Sequence, residues 1–66
     1  MKVRDVIKLI ERDGWRYERQ RGSHRIYRRD SERGTVTVAG ARGSDLRAGT
    51  LASILRQAGM KGADRD

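Results

Sequence analysis

The chain reads as an α+β domain in which a three-stranded antiparallel sheet carries two helices on one face, in the order helix, strand, strand, strand, helix. Three observations predict this. Apolar residues recur at helical spacing near both ends, in VRDVIKLIERDG and in TLASILRQAG. Between these stretches the period falls to two, most plainly in TVTVA, residues 35 to 39. Finally, 66 residues can bury only one small core, so two apolar helix stripes need a common surface. One face of a sheet supplies it.

Each element has its own signature. Val3, Val6, Ile7 and Ile10 fall at i, i+3, i+4 and i+7, which gathers them on one stripe and leaves Arg4, Lys8, Glu11 and Arg12 on the other side. Gly14 suits the left-handed position that ends such a helix. At the other end no Ser, Thr, Asp or Asn precedes Val3, so the start lacks a side-chain cap. From Trp15 the stretch WRYERQ alternates aromatic and polar residues, RGS turns at Gly22, and HRIYRR resumes with strand-forming residues, which together make a hairpin.

After a second turn at DSERG, TVTVA sets Val36 and Val38 against Thr35 and Thr37 as a two-faced strand. Residues 40 to 49, GARGSDLRAG, contain three glycines and no sustained period, and predict a mobile loop on the basic side of the molecule. Loops of this kind commonly carry binding residues. In the second helix Leu51, Ile54, Leu55 and Ala58 repeat the i, i+3, i+4, i+7 pattern, and Gly59 stands where it stops. The domain is expected to cover residues 1–59, with residues 60–66 a disordered tail that has little to bury beyond Met60.

Composition narrows the function. Sixteen Lys and Arg against nine Asp and Glu leave a net charge of +7, with arginines spread along the chain. A polyanionic partner follows, whether RNA, DNA or an acidic protein. Without cysteine there is no disulfide framework and no thiolate zinc site, which fits a reducing cytoplasm. No apolar run approaches the roughly 20 residues that span a bilayer. The N-terminus is interrupted by charges rather than built like a signal peptide. The reading is a soluble cytoplasmic protein with no membrane association. Asp5, Glu11, Asp13, Asp30, Glu32 and Asp45 form no metal-ligand spacing, so neither a metal nor any other cofactor is expected. Ser23, Ser44 and Ser53 lack a hydrolase motif, and GARGSD lacks the P-loop pattern.

The chemistry that remains centres on QRGSHRIYRR, residues 20 to 29, which holds the sole histidine, His24. An imidazole can take a proton from a ribose 2′-hydroxyl or give one to a leaving oxygen, as phosphodiester cleavage requires. Arginines beside it, Arg21, Arg25, Arg28 and Arg29, can hold the phosphate and stabilise its transition-state charge. Strand parity allows two arrangements. If Ile26 faces the helices His24 does too; if Tyr27 faces them, His24 points to the open side with Ile26 and Arg28. Trp15 is read as a core residue, while Tyr17 and Tyr27 are either core residues or stacking platforms for bases.

The blocks DVIKLIERDGW, RQRGSHRIYRR, GTVTVAG and GTLASILRQAG, from about Val3 to Gly59, resemble successive blocks of HicA-type toxins of HicA–HicB toxin–antitoxin modules. The resemblance implies a double-stranded-RNA-binding-domain-like α-β-β-β-α fold. It further implies an mRNA interferase that cleaves mRNA and is neutralised by a HicB antitoxin; with no metal-ligand spacing in the chain, the reading is a metal-independent, ribosome-independent endoribonuclease that joins its antitoxin in a hetero-oligomer. The histidine of the Gly-Ser-His block carries over as His24, the catalytic residue, with Gly22 shaping the turn and Ser23 beside it. Arg21, Gly22, Ser23, Arg25, Arg28 and Arg29 are then the expected RNA-binding residues, the arginines on grounds of charge alone. Where many relatives carry a proline and a second histidine after the third strand, this chain reads Ala39, Gly40, Ala41. Two alternatives therefore stand beside the enzyme: a non-catalytic RNA-binding module of the same fold, and an inactive homologue that chiefly docks an acidic antitoxin.

Overall fold

The computed structural model describes residues 1–31 and 33–60. Glu32 of the second turn and residues 61–66 of the expected tail lie outside the described residues. The element order is α1 (Val3–Arg12), β1 (Arg16–Arg21), β2 (His24–Arg28), β3 (Thr35–Ala39) and α2 (Ala48–Gln57). The strands form one antiparallel sheet in the order β1-β2-β3. This is the α-β-β-β-α layout that the periodicities predict. No helix among the described residues is long and apolar enough to cross a membrane.

The core forms where the predicted stripes meet. Val3, Val6, Ile7 and Ile10 from α1 join Ile54 and Ala58 from the α2 end of the chain, and Tyr27, Val36 and Val38 rise to them from the sheet. Trp15, on the link from α1 to β1, completes the cluster, while Leu46, Leu51, Leu55 and Met60 pack against its margin. Gly14 at φ 99° and Gly59 at φ 70° end the two helices in the left-handed region, as their positions predict.

The segment expected to be a mobile loop is instead tied to the start of α1. The N–H of Val3 donates to the Ser44 carbonyl at 2.9 Å and that of Arg4 to the Arg42 carbonyl at 3.0 Å. Leu46 N–H donates to the Met1 carbonyl at 2.9 Å, and Lys2 pairs with Asp45 in an isolated bridge. The first N–H groups of a helix have no partner within it. Here a distant piece of chain supplies the missing acceptors. The Asp5 carboxylate adds a further one by accepting the Lys2 N–H at 3.2 Å. The missing Ser or Thr cap is thereby replaced.

The two sheet edges differ. On the free edge of β3 the Thr37 N–H donates to the Gln57 side-chain carbonyl at 3.0 Å, so α2 occupies a donor that another strand could otherwise use. β1 is exposed along its whole length. Gln57→Ala is expected to lower stability by about 1 kcal/mol, the net worth of one hydrogen bond. Urea unfolding checks this, and a midpoint equal to the wild type would mean that water replaces the amide at no cost.

Candidate nucleic-acid interface

Register settles which way the histidine points. Tyr27 pairs with Val36 and Arg25 with Val38, and Tyr27, Val36 and Val38 are buried beneath the helices. His24, Ile26 and Arg28 must therefore face away, and His24 is exposed. Of the two arrangements that parity allows, the chain adopts the one with His24 on the open side. Gly22, at φ 60°, and Ser23 form a two-residue turn between the paired residues Arg21 and His24. Positive φ at the first position alone is the mark of a type II′ hairpin turn, which explains the glycine. Gln20 braces this turn by donating from its side-chain amide to the Gly22 carbonyl at 2.8 Å.

The arginines do not converge as sequence proximity suggests. Arg21 lies directly across from His24 on the open face. Arg28 shares that face, where its Nε donates to Glu18 at 3.3 Å. Arg25 points to the helix side, and its Nη1 donates to the Gly40 carbonyl at 2.7 Å. Arg29 lies beyond the end of β2, with Nη1 donating to the Asp13 carboxylate at 2.7 Å and to the Asp13 carbonyl at 2.8 Å. Its guanidinium carbon stands 4.6 Å from the centroid of the Trp15 ring. Stacked on a core residue and held by an acid, Arg29 ties β2 to the end of α1.

Two open-face arginines were not foreseen. Strict alternation in β1 would put Tyr17, Arg19 and Arg21 on one face. The register shifts between Tyr17 and Arg19, so that Glu18 has no partner and the strand bulges. Arg19 and Arg21 then share the open face with Arg16, which pairs with Arg28, while Tyr17 turns to the helix side opposite Tyr27. Strand period hinted at Arg19, two residues from Arg21, but Arg16 depends on the bulge. Charge on this face is partly balanced: Arg16 meets Asp30 at 2.7 Å, and Glu18 lies 3.6 Å from Arg19. Among the described residues Arg21 has no carboxylate within ion-pair distance.

The end of the sheet that carries His24 also receives the chain leaving β3. Gly40 N–H donates to the Ser23 carbonyl at 3.3 Å, which holds the residue before Ala41 against the Gly22-Ser23 turn. No three His, Cys, Asp or Glu side chains gather among the described residues.

The exposed His24 thus lies beside Arg21 on the open face of the sheet, in a domain of the α-β-β-β-α class. The class has a family. The chain belongs to the HicA toxins: the family model described as HicA toxin of bacterial toxin-antitoxin matches residues 3–60. It is thus a toxin of a toxin–antitoxin module, with an antitoxin as its implied partner. The resemblance read from the Gly-Ser-His block and its neighbours is borne out. None of the curated proteins compared with the chain matches it significantly.

Proposed function

We propose that the protein is an mRNA interferase, a metal-independent endoribonuclease that works in the cytoplasm and is silenced when a HicB-type antitoxin covers its open sheet face. The observation that carries this reading is the exposure of His24 across from Arg21. In the proposed reaction the ribose 2′-oxygen attacks the adjacent phosphorus and the bond to the 5′-oxygen of the next nucleotide breaks. One fragment ends in a 2′,3′-cyclic phosphate and the other in a 5′-hydroxyl. A proton leaves the 2′-hydroxyl and another reaches the departing oxygen. His24 serves one of these transfers and solvent the other. Arg21, with Arg19 and Arg28 further along the face, neutralises the charge that builds on the phosphoryl oxygens.

The second reading is a domain that binds RNA without cutting it. Ala41 favours it, since it stands beside the His24 turn where relatives are expected to carry a second histidine. One experiment separates the two. Incubated with a defined mRNA in EDTA, the wild type is expected to cut and to leave cyclic-phosphate ends, and a 2′-deoxy sugar at the cut position is expected to abolish cutting there. Retention of RNA without cleavage would establish the second reading.

A further inference from the structure

Tyr17 is left in water by a domain that buries its other two aromatic side chains. Trp15 and Tyr27 are 2% and 1% exposed, whereas Tyr17 is 54% exposed. The bulge at Glu18 puts it there, because it turns Tyr17 to the helix side of the sheet while Arg19 and Arg21 stay on the His24 side. The two tyrosine rings meet in an edge contact, centroids 5.9 Å apart at 72°. So Tyr17 is braced by the core without being covered by it. An exposed ring contributes little to the core through burial. Held in place beside cations, it is a platform on which a base can stack.

The cations are present. The next cross-strand pair on this face is Gln20 with Arg25, and Arg25 is anchored to the Gly40 carbonyl at the start of the segment that bears Arg42. Arg42 stands two residues beyond Gly40, where its carbonyl accepts the Arg4 N–H at the start of α1, and its field, like those of Glu11 and Arg25, reaches the Tyr27 hydroxyl. Among the described residues neither Arg25 nor Arg42 has a carboxylate within ion-pair distance, whereas Arg16, Arg19 and Arg28 on the open face each have one. Among the described residues, positive charge with no carboxylate at ion-pair distance therefore continues from Arg21 over the turn to Arg25 on the helix side, where Glu11 is the acid whose field also reaches Tyr27. A polyanion attracted to His24 meets this charge on both faces of the sheet end.

We infer that bound RNA passes round the Gly22-Ser23 turn from His24 on the open face to the helix side of β1, where Tyr17 stacks a base and Arg25 and Arg42 hold the neighbouring phosphates. The inference rests on the RNA reading of the His24 face for the identity of the ligand. It adds a subsite a few nucleotides from the scissile bond. That subsite is separate from the groups that perform the chemistry.

The test is binding of a short 2′-O-methyl RNA, which lacks the attacking hydroxyl, followed by fluorescence anisotropy. Tyr17→Ala, with its fold checked by circular dichroism, is expected to weaken binding by about ten- to a hundredfold, the worth of one base stacked on an aromatic ring. Tyr17→Phe and Tyr17→Trp should bind like the wild type. Arg42→Gln should reduce the slope of log affinity against log salt by about 0.7, one phosphate contact on a single strand. Removing single bases from the oligonucleotide should reveal one costly position in the wild type and none in Tyr17→Ala.

Equal affinity and equal base-removal profiles for wild type and Tyr17→Ala would overturn the inference. So would unchanged RNA affinity with a loss of antitoxin affinity, which would make Tyr17 a protein contact. If the wild type fails to cut mRNA yet shows the Tyr17 dependence, the cleavage reading fails and the RNA path stands. No RNA binding by the wild type would remove both.

Discussion

Replacing His24 with alanine is expected to leave a folded protein that still binds RNA and does not cut it. His24 is exposed at the start of β2, outside the core cluster, so its removal leaves no buried cavity. Its backbone pairing with Arg21 and Ala39 does not depend on the imidazole. What disappears is the imidazole proposed to act as the acid or base of the reaction. General acid–base catalysis is worth roughly a hundred- to ten-thousandfold, so single-turnover cleavage should fall by about that factor. Affinity for an uncleavable RNA should change little, because the arginines remain. A folded His24→Ala that cuts at the wild-type rate would remove histidine from the mechanism. By contrast, Arg21→Gln should weaken RNA binding and flatten its salt dependence.

That contrast depends on facts that the sequence holds unequally. The α1 stripe was legible because four apolar residues at helical spacing have one geometric solution, and all four are buried. The same holds for β3, where Val36 and Val38 are buried and alternate with half-buried threonines. Gly14, Gly22 and Gly59 marked reversals that need positive φ, and each has it. All of these are local signals, readable within a few residues.

The parts that stayed hidden are non-local. Residues 40 to 49 look loose because they lack period, yet their carbonyls cap a helix some 40 residues earlier in the chain, as the Lys2–Asp45 bridge shows. No local pattern encodes that pairing. The bulge at Glu18 was hidden for another reason. Moving one residue across the sheet reassigns every side chain N-terminal to it, so Arg16 and Tyr17 exchange faces without any change in composition. Arg29 shows the limit of reasoning from proximity. It follows Arg28 directly, but strand β2 ends between them and its guanidinium serves Asp13 and Trp15. The histidine was found by its uniqueness, and its surroundings only by register.

Tyr27→Ala is expected to unfold the isolated toxin. Tyr27 is a buried aromatic of the core cluster, which it shares with residues of α1, β3 and α2. Truncating a buried aromatic to alanine costs about 3–5 kcal/mol. A domain of this length has roughly 3–10 kcal/mol in all, so the loss consumes much or all of it. Far-UV circular dichroism with urea unfolding would show it, and a folded variant within about 1 kcal/mol of the wild type would contradict this picture of the core. An antitoxin that binds only the folded toxin should restore the structure by mass action, with the degree of rescue rising with antitoxin concentration. Tyr27→Phe isolates the hydroxyl. Burial first, and then the Glu11 carboxylate, hold the phenolic proton above its ordinary value of 10.0, while Arg42 and Arg25 pull the other way. The folded state thus keeps its proton at a pH where the unfolded chain has begun to lose it. The contribution is complete below pH 10.0 and is lost as pH rises beyond it. Wild-type stability should fall through that alkaline range more steeply than that of Tyr27→Phe, and parallel curves would mean that the hydroxyl titrates alike in both states.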